Sequence, residues 1–177
     1  QLTSGSGGGI RNLGGTLTLT QSELTDNVAP DGGAIYNRSG TVVLTQATIA
    51  RNMAAGGGGI VNTDSGRLDI STSTFADNEA NAGPGGAVWN IANAQLNVNL
   101  TTFTQNSAVR GGAITNGSQS TVTIARSTLD NNSSQSDGGA ITNEANSHLS
   151  ISDSALLANR AARHGGAIHN ETATVAP

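Results

Sequence analysis

The sequence predicts an all-β fold: a right-handed parallel β-helix, that is, a three-sided β-solenoid of about seven coils of 25–28 residues. Three observations carry that expectation. A glycine-rich phrase recurs seven times at nearly constant spacing. Two further apolar patterns keep a fixed offset from it. The composition is too poor in apolar residues for a three-dimensional core, yet rich in β-branched ones.

The recurring phrase is Gly-Gly-(Ala/Gly)-(Ile/Val)-x-Asn. Its apolar residue is Ile10, Ile35, Ile60, Val88, Ile114, Ile141 and Ile168, at spacings of 25, 25, 28, 26, 27 and 27. Its Asn is Asn12, Asn37, Asn62, Asn90, Asn116, Asn143 and Asn170. Between these lies apolar-x-x-Asn: Leu24 with Asn27, Ile49 with Asn52, Phe75 with Asn78, Phe103 with Asn106, Leu129 with Asn132, and Leu156 with Asn159. An apolar-x-apolar pair precedes the second phrase at constant offset, from Leu17/Leu19 through Val42/Leu44 to Leu149/Ile151. Such internal self-similarity marks stacked repeat architectures.

Each element is short, alternates with period two and is flanked by Gly, Asn, Asp or Ser, which are strand and turn signals. Three strands per repeat describe one coil of three sides. Coils paired in parallel rise about 4.8 Å each, so six span roughly 29 Å. The hand follows the preference of parallel crossovers. Stacking turns Ile10 through Ile168 into one interior aliphatic column, and the Leu/Ile/Phe residues of the second phrase into another. Phe75 and Phe103 fall on adjacent coils, where they stack. The two Asn columns are expected to form side-chain amide ladders, with the Asn themselves tolerating left-handed backbone at coil corners. The glycine pairs allow positive φ and close approach.

Composition bounds the rest. Hydrophobic residues are 35%, against roughly 45–50% in ordinary globular domains, so each coil buries little and leans on its neighbours. Charged residues are only 11%, which argues against disorder. With a net charge of −4 and no run of Lys or Arg, nucleic acid is not an expected partner. No apolar run approaches the roughly 20 residues that cross a bilayer as a helix, so membrane insertion is not expected. Cysteine is absent, which excludes disulfides and thiolate metal sites. Residues 1–177 are expected to form a single solenoid domain uncapped at both ends, a processed form or a fragment, with head-to-tail stacking on itself as one means of association.

In the Ile–Asn strand the intervening residues Arg11, Tyr36, Val61, Trp89, Thr115, Thr142 and His169 are expected to face solvent. Tyr36 and Trp89 are thereby the possible surface contact, because exposed aromatic rings stack on sugars. Asp26, Arg51 and Asp77 alternate in sign on neighbouring coils and predict a surface ion-pair ladder. The twelve acids are scattered over the coils. Polysaccharide-cleaving β-helices need clustered carboxylates, so no catalytic residue is assigned. His164 and His169 flank the last glycine pair, but two imidazoles without a third ligand assign no metal site, and no cofactor is expected. Thr16, Thr18, Thr20, Thr41 and Thr45 begin a flat threonine array of the ice-binding kind, which breaks after two coils.

Gly32-Gly33-Ala34-Ile35, Gly111-Gly112-Ala113-Ile114, Gly138-Gly139-Ala140-Ile141 and Gly165-Gly166-Ala167-Ile168, with Phe75-Ala76-Asp77-Asn78 and Phe103-Thr104-Gln105-Asn106, resemble the repeats of the chlamydial polymorphic outer membrane proteins. Related repeats occur in bacterial secreted parallel β-helix proteins. The resemblance implies surface display, adhesion and self-association. The expected function is therefore a non-catalytic extracellular structural or adhesive β-solenoid, a filament subunit or adhesin stalk. Its expected partner is itself or a host or cell-surface glycan or protein, and its expected place is extracellular or on a bacterial cell surface. The alternative is a carbohydrate-binding or polysaccharide-cleaving β-helix.

Overall fold

The structure is a computed structural model that describes residues 5–171. It is a parallel β-solenoid in which every strand pairs with its equivalents on adjacent coils, and no helix occurs among the described residues. The first sheet holds seven strands: Ile10–Leu13, Ile35–Arg38, Ile60–Thr63, Val88–Asn90, Ile114–Asn116, Ile141–Asn143 and Ile168–Asn170. The second holds six, Thr16–Thr20, Thr41–Thr45, Arg67–Ser71, Gln95–Asn99, Thr121–Ala125 and His148–Ser152. The third also holds six, Glu23–Thr25, Thr48–Ala50, Thr74–Ala76, Thr102–Thr104, Thr128–Asp130 and Ala155–Leu157. These are the three predicted elements. Six complete coils are present, and the first-sheet strand of a seventh.

The coil has a fourth side that the three-sided expectation lacks. It is a five-stranded sheet of Met53–Ala54, Glu79–Pro84, Ser107–Arg110, Ser133–Ser134 and Arg160–Ala161. Its inward column is Ala54, Ala80, Ala108, Ser134 and Ala161. Small side chains suffice there because the chain turns in tightly toward the next glycine pair. A column of Ala and Ser carries no apolar alternation, so the strand pattern is silent in the sequence. The longer segment of one coil is absorbed as a register shift between Ala80 and Pro84.

Registers follow the repeat residue for residue: Ile35 stands on Ile10 and under Ile60, and Leu96 pairs with Leu68 and Val122. The core is one continuous strip of Ile, Leu, Val, Phe and Ala. Phe75 and Phe103 lie at its centre, fully buried, with ring centroids 4.8 Å apart. Fully burying side chains of this class contributes about 1.5–3 kcal/mol each, which offsets the chain entropy of a short coil only because neighbouring coils share the strip.

The corners correct one expectation. The ladder Asn residues are not in the left-handed region; the residues just before the second-phrase Asn are. Asp26, Arg51, Asp77, Gln105, Asn131 and Ala158 all have φ between 50° and 60°. That turn aims each following Asn inward. The first glycine of the pair is likewise left-handed, with φ 62° at Gly32 and 59° at Gly111. The second glycine allows close approach: a Cβ on Gly112 would overlap the Gly139 carbonyl one coil on.

Candidate functional site

Interior positions are occupied by packing and ladders, so chemistry available to a partner lies on the outer wall. The most varied part of that wall is the corner at the glycine pairs. Here two columns face each other. One is Asp31, Gly56, Pro84, Arg110, Asp137 and His164, stacked because each following glycine N–H donates to the equivalent carbonyl of the next coil. The other is Arg11, Tyr36, Val61, Trp89, Thr115, Thr142 and His169, paired in register within the first sheet.

The second column was expected to face solvent throughout, and the structure corrects this. Val61, Thr115 and Thr142 are buried, and Tyr36 and Trp89 are half-buried. The cause is the left-handed glycine, which folds the first column back over the second. Thr115 Oγ1 donates to the Arg110 carbonyl and Thr142 Oγ1 to the Asp137 carbonyl, both at 2.8 Å. A polar side chain tucked under the corner is thereby satisfied, as burial requires.

Tyr36 and Trp89 nonetheless share one shallow groove, with Asp31, Val61, Ile91 and Ser118 around them. The Trp89 ring lies back over Gly56 and near Pro84. A Cβ added to Gly56 would come within 3.0 Å of Trp89 Cε3 and Cζ3. Trp89 Nε1 is enclosed and donates to no group of the described residues. Glycine at position 56 is thus the seat of the ring, a relation that 32 intervening residues conceal in the sequence.

Further along the same corner the side chains become ionic. Arg110 Nη2 sits 2.7 Å from Glu144 Oε1, and Arg110 Nη1 is 3.9 Å from Glu171. Burial pushes the Glu144 carboxyl up, Arg110 draws it down, and Glu171 adds to the rise. Asp137 Oδ1 lies 2.6 Å from His164 Nδ1, and the His164 and His169 rings stack at 5.8 Å. Sequence reasoning noticed the two histidines but not Asp137, which comes from the coil before.

Elsewhere the predicted ion pair of Asp26 with Arg51 is present at 2.7 Å; Asp77 forms no ion pair among the described residues. Arg38 pairs with Asp64, and Arg67 with Asp69 on the same strand. The hydrogen bond from Arg51 holds the Asp26 carboxyl below its ordinary value. Six of the twelve acids are engaged with a cation in this way. An arginine neighbour favours the ionised form, as at Asp26, whereas at Glu144 burial outweighs Arg110 and the carboxyl is raised.

The fold and its outer wall define a repeat solenoid of parallel coils with a chemically varied glycine corner. Within it, residues 100–117 and 126–144 match the Chlamydia polymorphic membrane protein repeat. Each match runs from a third-sheet strand, through the fourth sheet, to the glycine phrase and the first-sheet Asn. Each therefore covers the corner of its own coil, at Arg110 and Thr115 and at Asp137 and Thr142, and the other coils carry the same registers. No curated protein and no solved structure matches the chain.

Proposed function

We propose that the chain is a non-catalytic, surface-displayed β-solenoid that acts as a rigid stalk or adhesive rod. The observation that carries this reading is the in-register stacking of six coils through the first three sheets, with both Asn ladders running from end to end of the described solenoid. Such a body is stiff along its axis and repeats one outer corner at coil intervals. The match to a membrane-protein repeat supports display at an outer surface. The lowered carboxyls of Asp26 and Asp137 support the absence of a general acid at those two positions. Strands at both ends of the described solenoid carry half-buried aliphatics, Ile10, Leu17 and Leu24 at one and Leu149, Leu156 and Ile168 at the other. Their register suits a like coil, so end-to-end association of rods belongs to the same reading.

The groove of Tyr36 and Trp89 favours a sugar-bearing partner, because a half-exposed aromatic pair offers ring faces to pyranose rings. Purified protein applied to a glycan array and to cultured cells tests this, with Tyr36→Ala/Trp89→Ala alongside. Retained binding that the double variant loses supports the adhesive reading. Release of reducing sugar from pectin-like polymers would overturn the non-catalytic one. Negative-stain microscopy over a concentration series tests association: rods that stay one chain long at every concentration would remove that part.

A further inference from the structure

The glycine corner of the last described coils brings together three metal-binding side chains from two coils. His164 stands on Asp137, because the Gly138 N–H donates to the His164 carbonyl at 2.9 Å while the Gly111 N–H donates to the Asp137 carbonyl at 3.1 Å. His169 stands on Thr142 in the first sheet. Gly165, at φ 61°, turns the chain between the two histidines so that their rings fall on the same side. Each of Asp137, His164 and His169 offers a ligand atom within 4.8 Å of the others. Glu171 Oε1 lies 3.5 Å from His169 Nε2 on the rim of the same groove.

We propose that Asp137, His164 and His169 form a binding site for a divalent ion of the zinc class, with Glu171 as the fourth donor. Two imidazoles and a carboxylate are the donor set that such ions prefer, whereas calcium and magnesium take oxygen. Ligands about 2.1 Å from a tetrahedral zinc sit roughly 3.4 Å apart, and the His169–Glu171 separation is already of that size. The remaining closure needs rotation of the rings, and the His164 side chain is 62% exposed and free to turn.

The carboxylate is prepared for the role. Asp137 is enclosed, with Oδ2 accepting from Ser136 Oγ at 2.6 Å and Oδ1 accepting from the His164 N–H at 3.2 Å. Arg163 is 3.9 Å from Oδ2 and 64% exposed, so it swings aside without disturbing the coil. An ion held here bridges one coil to the next, adding a cross-link that a plain Asp–His hydrogen bond does not supply.

Isothermal titration calorimetry of the full chain with ZnCl2, beside CaCl2 and MgCl2, is the direct test, with thermal melting as the second readout. One zinc per chain is expected, with a rise in melting temperature that calcium and magnesium do not give. His164→Gln/His169→Gln is expected to abolish that binding, and Asp137→Asn to weaken it by at least about tenfold, whereas His148→Gln leaves it intact. Far-ultraviolet circular dichroism confirms the fold of each variant; should the double variant unfold, Asp137→Asn and His169→Gln singly still report. Absence of saturable zinc binding, or binding undiminished in the folded His and Asp variants, overturns the site.

Discussion

Two columns of Asn run the length of the solenoid, and the same side chain does different work in each. In the first, at the edge of the first sheet, each Nδ2 donates to the next Oδ1 at 2.7–2.9 Å. It also reaches a carbonyl three or four residues ahead in its own coil, such as Gly40 for Asn37 or Gly66 for Asn62. This ladder closes a turn within the coil while it joins coils. In the second column the acceptor carries the load. Asn78 Oδ1 takes both the backbone N–H and the Nδ2 of Asn52, and Asn106 Oδ1 takes both from Asn78. The free Nδ2 hydrogen goes back to a strand carbonyl of the preceding coil, as from Asn78 to Ile49. The second ladder thus serves a backbone N–H that the left-handed residue before it leaves without a strand partner. Periodic Asn in a solenoid is not one device but two, set by the backbone on which it sits.

Single substitutions at matched depth break the comparison most sharply. Asn62 and Asn78 are both fully buried. Asn78→Ala strands the Asn52 backbone N–H, one Asn52 Nδ2 hydrogen and the Ile49 carbonyl contact, while Asn106 Oδ1 keeps the residue-78 backbone N–H, at about 1–3 kcal/mol per orphaned group, or about 3–6 kcal/mol in all. Asn62→Ala orphans no backbone N–H: Asn37 Nδ2 loses Asn62 Oδ1 but keeps the Gly40 carbonyl, and the Gly66 carbonyl keeps the Gln95 N–H. Its cost is expected to be lower, about 2–4 kcal/mol, since an under-satisfied carbonyl is tolerated better than an orphaned N–H. Urea unfolding of the pair measures the order; equal or inverted costs would remove the distinction between the ladders.

A third, shorter ladder sharpens it. At the corner between the second and third sheets, Ser73, Thr101, Ser127 and Ser154 each accept a backbone N–H from the coil before, from Ala47 to Ser73 through Ser127 to Ser154. Their hydroxyls donate to the carbonyl two residues back, as Ser127 does to Ala125 at 2.7 Å. Ser127→Ala is expected to cost about 1–2 kcal/mol by leaving the Thr101 N–H unmet. Ala47 interrupts the column above Ser22. Ala47→Ser is expected to stabilise by about 0.5–1 kcal/mol, measured as a raised urea midpoint, by giving the coil below the same acceptor.

The smallest effect concerns pH. Asp137 is held down to about 2, chiefly by Ser136, and Asp26 is lowered by Arg51. A folded-state value below the unfolded one stabilises above the ordinary carboxylate range, near pH 4, and is lost as pH falls through the folded value. Glu144, raised by burial, acts in the opposite sense: its cost is absent in acid and present once it ionises. Asp137→Asn is therefore expected to flatten the loss of stability between about pH 4 and pH 2, read from urea midpoints across that range. An unchanged acid limb would show that the carboxylate gains nothing from its partners.

How much of this was legible follows from how a solenoid is encoded. Positions one repeat apart stand on one another, so the Ile column, both Asn columns and the Phe75–Phe103 stack were readable as spacing. The fourth sheet was not, because Ala54, Ala80 and Ser134 line it without apolar contrast. The hydroxyl ladder was not, because Ser and Thr are common everywhere in the chain. The burial of Thr115 and Thr142, the seat of Trp89 on Gly56, and the approach of Asp137 to His164 and His169 all lie across a corner.

By itself, then, the sequence determined what stacks: the coil length, the strand registers and the interior ladders, since a repeated residue meets its own copy about 4.8 Å away whatever the corner does. Only the tertiary structure decided what faces what. The left-handed residues and glycines at each corner choose the angle between sides. That angle, not the repeat, folds one outer column over another and gives the surface its grooves and charged clusters.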